Sequence, residues 1–245
     1  EIMPSLVGSE MCIRDRYEIA IFKKEYCKNG EARISIGKDF EVDVESFEEL
    51  LPGKIVSSYA TGNRDIENSF IMFRVCDVIK DIQYFPVFSE TVGRKMLKSW
   101  NKPVPKKRSI FIEDNNGVGG GNGGTGNGNK NNVENFKLRS LILFARSLMI
   151  LHINDPQPMN GMLKELYEKL ELHPYWNVRN CEVKAVNTAI GSFLRKDINV
   201  QNENFQNLEG YILYLQTNVT GRRLRNTNFD TLRNIMRTEY PADQV

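Results

Sequence analysis

Asn115–Asn132, NNGVGGGNGGTGNGNKNN, decides how the rest of the chain is read. Glycine and asparagine fill all but three of these eighteen positions, so the stretch has almost no apolar surface to bury. Each glycine also loses more backbone entropy on ordering than any other residue. The composition predicts a solvated linker or a long disordered loop. Across it the apolar period changes, from alternation in residues 17–114 to three-and-four spacing in residues 133–245. The expected fold is therefore α+β: a β-rich barrel or sandwich of five or six short strands in 17–114, a flexible Gly/Asn linker at 115–132, and a five-helix bundle in 133–245.

In the first half, Tyr17, Ile19 and Ile21 alternate with more polar neighbours, and Asn29-Gly30 before Arg33-Ile34-Ser35-Ile36 suits a hairpin turn or a longer loop. Phe40, Val42 and Val44 alternate with Glu41, Asp43 and Glu45, which predicts a strand with one wet acidic face. The acids from Glu41 to Glu49 follow strand spacing and lack a calcium-loop pattern, so they read as a solvated face. Lys54–Tyr59 and Phe70–Ile79 read as further strands. Ile82–Phe88 is demoted to an edge or bulge by Pro86. Ser109–Ile112 is placed to close the sheet.

In the second half, Phe136–Ile153 is apolar nearly all round, as expected of a buried helix. Its apolar run from Leu138 contains Arg139, Arg146 and His152, too short and too charged for a membrane span, so no membrane partner is expected. Met162, Leu163, Leu166, Tyr167 and Leu170 mark a second helix. Val183, Val186, Ala189, Ile190, Phe193 and Leu194 mark a third, Leu208–Leu215 a fourth and Phe229–Met236 a fifth.

The chain opens EIMPSLVGSEMCIRDR. Its run PSLVGSEMCIRDR resembles translated sequencing-adapter read-through, a resemblance confined to these residues and pointing to no family. Residues 1–16 are expected to be a non-native addition or a disordered arm and are set aside from the fold. With Cys12 set aside, Cys27, Cys76 and Cys181 are odd in number and widely spaced. His152 and His173 are the only histidines, and no CxxC occurs. Neither a zinc site nor a disulfide framework is expected, nor any cofactor. The expected compartment is reducing and intracellular, nuclear or cytoplasmic. No GxSxG, HExxH or phosphate-cradling loop is present, and neither histidine has a partner at usable spacing, so no enzyme is expected.

Residues 17–114 balance sixteen cations against sixteen acids, and 115–245 hold fifteen against twelve, so any nucleic-acid signal must lie in how charge is distributed. From Thr91 to Ile112 there is no acid. Within that window Arg94, Lys95, Lys98, Lys102, Lys106, Lys107 and Arg108 surround Trp100. Cations attract phosphates and release counterions, and an indole can stack on a base. Pro103 and Pro105 disfavour regular helix, which suits a segment tracking a flexible single strand. The same residues resemble a bipartite nuclear import signal, or a solvated connector whose Trp100 covers the β core. A second cluster, Arg222, Arg223 and Arg225, falls in an expected loop, where it would bind anions or form surface pairs.

The sequence thus points to a non-enzymatic binding protein engaging single-stranded nucleic acid through Arg94–Arg108. Two alternatives stand beside it. One is a protein–protein adaptor, with the bundle as docking surface for a protein partner. The other is a viral structural or genome-associated protein.

Overall fold

A computed structural model describes residues 17–60, 65–113, 130–151, 153, 155–194 and 222–224. The chain is α+β and divides into two compact units. One takes in the chain up to Leu50, Ile55–Arg108 and Asp155–Pro158. The other takes in Leu51–Lys54, Ser109–Asn154 and the chain from Met159 onward.

The first unit opens with two helices, α1 (17–26) and α2 (Gly30–Asp39). Both segments were expected to be strands. Two local features decide otherwise. Asn29 does not turn a hairpin; its side-chain oxygen accepts the Ala32 amide at 2.8 Å and caps α2. Phe22 and Tyr26 sit four residues apart, which puts them on one helical face. That face packs into an aromatic cluster, with Phe22 stacked on Tyr84 at 4.4 Å and Tyr26 edge-on to Phe40 at 4.8 Å. Arg33 donates to the Cys27 carbonyl at 3.0 Å, just beyond the end of α1.

The strands β1 (Glu41–Glu49), β2 (Ser69–Asp77), β3 (Ile82–Tyr84) and β4 (Val87–Ser89) form an open antiparallel sheet. This corrects the expected closed barrel or sandwich: too few of the short apolar runs are strands to close a sheet. β2 is central. β1 pairs along its whole length on one side, from Glu41 opposite Cys76 to Glu49 opposite Ser69, with a bulge between Val44 and Ser46. β3 and β4 share the other side, separated by Pro86, whose carbonyl takes the Phe73 amide at 3.1 Å. Among the described residues Lys54–Tyr59 is not a strand of this sheet; it makes a bridge of Val56 to Ile66, and the Tyr59 amide donates to the Val87 carbonyl at 2.9 Å. Phe70, Ile71, Met72, Phe73 and Val75 are fully buried, so both faces of β2 are covered. Each such side chain stabilises the unit by roughly 1.5–3 kcal/mol relative to exposure. Helix α3 (Glu90–Ser99) lies against β2 and β4. Gly93 lets it approach, since a Cβ there would sit 2.9 Å from Ile71.

The second unit contains α4 (Lys130–Leu151), α5 (Gly161–Leu172) and α6 (Asn180–Leu194). Ile142, Phe144, Leu148, Leu166, Leu170 and Ile190 are in its core. Arg146 is buried too, with a guanidinium nitrogen 3.8 Å from Met149 Sδ. The expected fourth and fifth helices, at 208–215 and 229–236, lie outside the described residues, as do the 1–16 arm and most of the 115–132 linker. Lys130, Asn131 and Asn132 of that linker open α4. The short strand β5 (Phe111–Glu113) does not close the first sheet. It pairs antiparallel with β6 (Arg222–Leu224), setting Glu113 opposite Arg222. Arg222 and Arg223 are therefore in a strand rather than the expected loop: β6 gives the β5 backbone its partner.

Candidate functional site

The stretch from Arg94 to Arg108 is half helix and half extended strap. Through Ser99 it belongs to α3, which buries Gly93, Met96 and Leu97 and exposes Arg94, Lys95 and Lys98. That 3.6-residue spacing makes it helical through Ser99, four residues before Pro103. Asn101 adopts the left-handed region (φ 53°), and the Lys102 amide returns to the Leu97 carbonyl at 2.9 Å, ending the helix.

Four of the seven cations are tied to the fold. Glu90, one residue before the acid-free window, accepts from Arg94 at 2.8 Å and from Ser69 at 2.6 Å and lies 3.7 Å from Lys107. Burial alone would raise its carboxyl, but the Ser69 and Arg94 hydrogen bonds and the Lys107 charge outweigh it and hold the group below its usual range. Arg94 and Lys107 also flank the Phe47 ring, at 5.3 and 5.5 Å. Lys102 donates to the Val42 carbonyl and stands 3.9 Å from Asp43. Arg108 joins β1 through its backbone, its amide donating to Phe47 O at 2.7 Å and its carbonyl accepting from Glu49 at 3.1 Å. Among the described residues no acid pairs with Lys95, Lys98 or Lys106, and all three are exposed.

Trp100 is half-buried and anchored. Its Nε1 donates to the Ile34 carbonyl at 2.8 Å, and its ring meets Phe73 edge-on at 5.3 Å. Gly37 is a glycine because a Cβ there would come within 2.5 Å of the indole. Beside it lies an open groove of about 620 Å³, lined among others by Lys38, Phe40, Val42, Asp43, Trp100 and Lys102. Lys38 was not singled out by sequence and Asp43 was read only as part of a solvated acidic face, because α2, β1 and the residues after α3 meet only in three dimensions. Glu90 was readable, since it stands four residues before Arg94 on one helix.

The second unit holds another cation-rich cluster around an indole. Glu182 is 7 % exposed. It accepts from Lys169 Nζ at 3.0 Å, from the Arg179 amide at 3.0 Å and guanidinium at 2.9 Å, and from Trp176 Nε1 at 3.3 Å. Burial alone would raise its carboxyl, but these donors bring it down to about 2. Lys169 also sits over the Trp176 ring at 3.5 Å. The His173 ring lies 6.4 Å from Trp176, and its carbonyl accepts from Asn135 and from the Trp176 amide, both at 2.9 Å, so this loop is built by structural bonds.

His152 and Arg225 lie outside the described residues, as do the side chains of Arg222 and Arg223. Among the described residues no group of three or more His, Cys, Asp or Glu side chains is placed to hold a metal ion, and no helix is long and apolar enough to cross a membrane. Burial pushes the Cys27 thiol up to about 12, which leaves it un-ionised at neutral pH. No family model, curated protein or solved structure matches the chain.

Proposed function

We propose that this chain is a non-enzymatic binding protein that engages single-stranded nucleic acid through the exposed face of α3 and the strap after it. The observation that supports this is the set of three exposed lysines, Lys95, Lys98 and Lys106, with no acid partner among the described residues. Ammonium groups held at a surface attract phosphate and release counterions on binding. Because the Trp100 indole is tied to Ile34 and Phe73, the binding is electrostatic rather than stacked, and it has little base preference.

The test is fluorescence anisotropy with a labelled oligonucleotide across a salt series. Three phosphate contacts give a slope of log affinity against log salt of about −2, at about 0.7 per contact. A Lys95→Gln/Lys98→Gln/Lys106→Gln variant is expected to lose binding. No binding at low salt, or equal binding by that variant, refutes the reading.

A second reading, a protein–protein adaptor, is favoured by the turn between β2 and β3. Val78 is 69 % and Ile79 97 % exposed there. The turn is ordered by Asp77 accepting the Ile79 and Lys80 amides, both at 3.1 Å, and by an ion pair of Lys80 with Glu18 at 2.9 Å. A rigid turn presenting two aliphatic side chains suits an apolar pocket on a partner.

A further inference from the structure

One edge of the first sheet is covered without being fully paired. The Phe73 amide is turned toward Pro86, so at this end of β2 the even-numbered residues bond to β1. In the register of Glu41 opposite Cys76 and Asp43 opposite Arg74, the backbone groups of Val42 and Val44 therefore point to the outer edge of β1. The Lys102 ammonium on Val42 O marks the same side. The bulge between Val44 and Ser46 shifts the phase by one residue, and beyond it Phe47 and Glu49 face outward, where Arg108 bonds to both.

Lys102–Arg108 thus runs parallel to β1, reaching it with a side chain at Val42 and with the backbone at Glu48. The bulge stops the strap from extending its ladder back from Arg108. Pro103 and Pro105 are an odd number of residues from Arg108. In an extended strap those positions face away from β1, and proline removes the amides a further strand would need. A lysine on the edge, outward prolines and a bulge are all means by which sheets resist edge-to-edge association.

We propose that Lys102–Arg108 is a guard strap that keeps the Val42–Val44 edge of β1 from pairing with a second copy of this chain. Edge pairing is driven by backbone hydrogen bonds, and an identical edge is the one partner always present at the chain's own concentration. This stands independently of nucleic-acid binding, because it uses Lys102, Pro103 and Pro105 and none of Lys95, Lys98 and Lys106.

The test is sedimentation of the full chain and of a Lys102→Met/Pro103→Thr/Pro105→Thr variant, at about 0.5 M salt so that Glu41 and Asp43 on neighbouring copies are screened. The variant is expected to self-associate at least about tenfold more tightly than the parent over concentrations up to about 100 μM. Adding Val44→Pro, which removes an outward amide and no bond to β2, is expected to restore the parent's behaviour. Circular dichroism establishes that each variant is folded. If the triple variant does not fold, Lys102→Met alone, which keeps the side-chain stem, is read in its place by the same criterion. A folded variant that sediments like the parent overturns the proposal, as does association that survives Val44→Pro.

Discussion

Two regions of this molecule gather cations around a tryptophan, and they end in opposite states. Around Trp176, Lys169 and Arg179 converge on one buried carboxylate, Glu182, which also takes the indole N–H. Around Trp100, Arg94 and Lys107 converge on Glu90 and Lys102 reaches Asp43, but among the described residues no acid pairs with Lys95, Lys98 or Lys106, and the indole N–H goes to a backbone carbonyl. The first cluster is closed: its charges hold α5, α6 and their connection together. The second is closed at its base and open at its surface. A count of positive residues does not separate the two; the position of each acid does.

The largest expected effect comes from opening the closed cluster. Glu182→Gln leaves Lys169 and Arg179 without their shared acid, and it is expected to destabilise the chain by on the order of 2–3 kcal/mol, read as a lower urea midpoint. The pH dependence has a definite sign. Folding holds the Glu182 carboxyl at about 2, below its usual 4.5, so its contribution is fully present above the higher value and is lost as pH falls toward the lower one. The parent chain should lose stability through that window more steeply than Glu182→Gln. Equal slopes would mean that the cluster is not what stabilises this unit.

Next comes the base of the open cluster. Gly37→Ala brings a methyl group against the Trp100 ring, and is expected to cost on the order of 2 kcal/mol as the indole gives up its bond to Ile34. If stability is unchanged, the ring is free to move, and stacking on a base returns as a reading of Trp100. The smallest effect is on binding. Glu90→Gln releases Arg94 and Lys107, so the salt slope of oligonucleotide binding is expected to steepen from about −2 to about −3.5. An unchanged slope would show that these two cations stay bound to the fold without their acid.

Much of the framework was legible in the sequence, for physical reasons. The alternating run at Phe40–Glu45, the apolar run at Phe70 and the break at Pro86 gave β1, β2 and the separation of β3 from β4. Apolar spacing gave α5 and α6, and His173-Pro174 marked the end of α5. The helices α1 and α2 were missed because short alternations such as Tyr17–Ile21 are ambiguous. Their choice was made by Asn29 as a cap and by an aromatic cluster that includes the distant Tyr84. At the candidate site the cations were legible; of their acids Glu90 was within reach of the sequence but passed over, and Asp43 was not. The window beginning at Thr91 stopped one residue short of Glu90, and Asp43 comes from another strand.

The interleaving of the two units has a consequence for the order in which the chain is made. The first unit includes Asp155–Pro158, with Pro156 buried, although the rest of it ends at Arg108. On a ribosome adding about 5–20 residues each second, those four residues follow Arg108 by several seconds. In that interval the sheet, its helices and the strap have already been synthesised, yet the unit still lacks its last piece. A nascent chain halted between Arg108 and Asp155 should therefore be more open to protease in residues 17–108 than one extended far enough past Pro158 for Asp155–Pro158 to have cleared the ribosome.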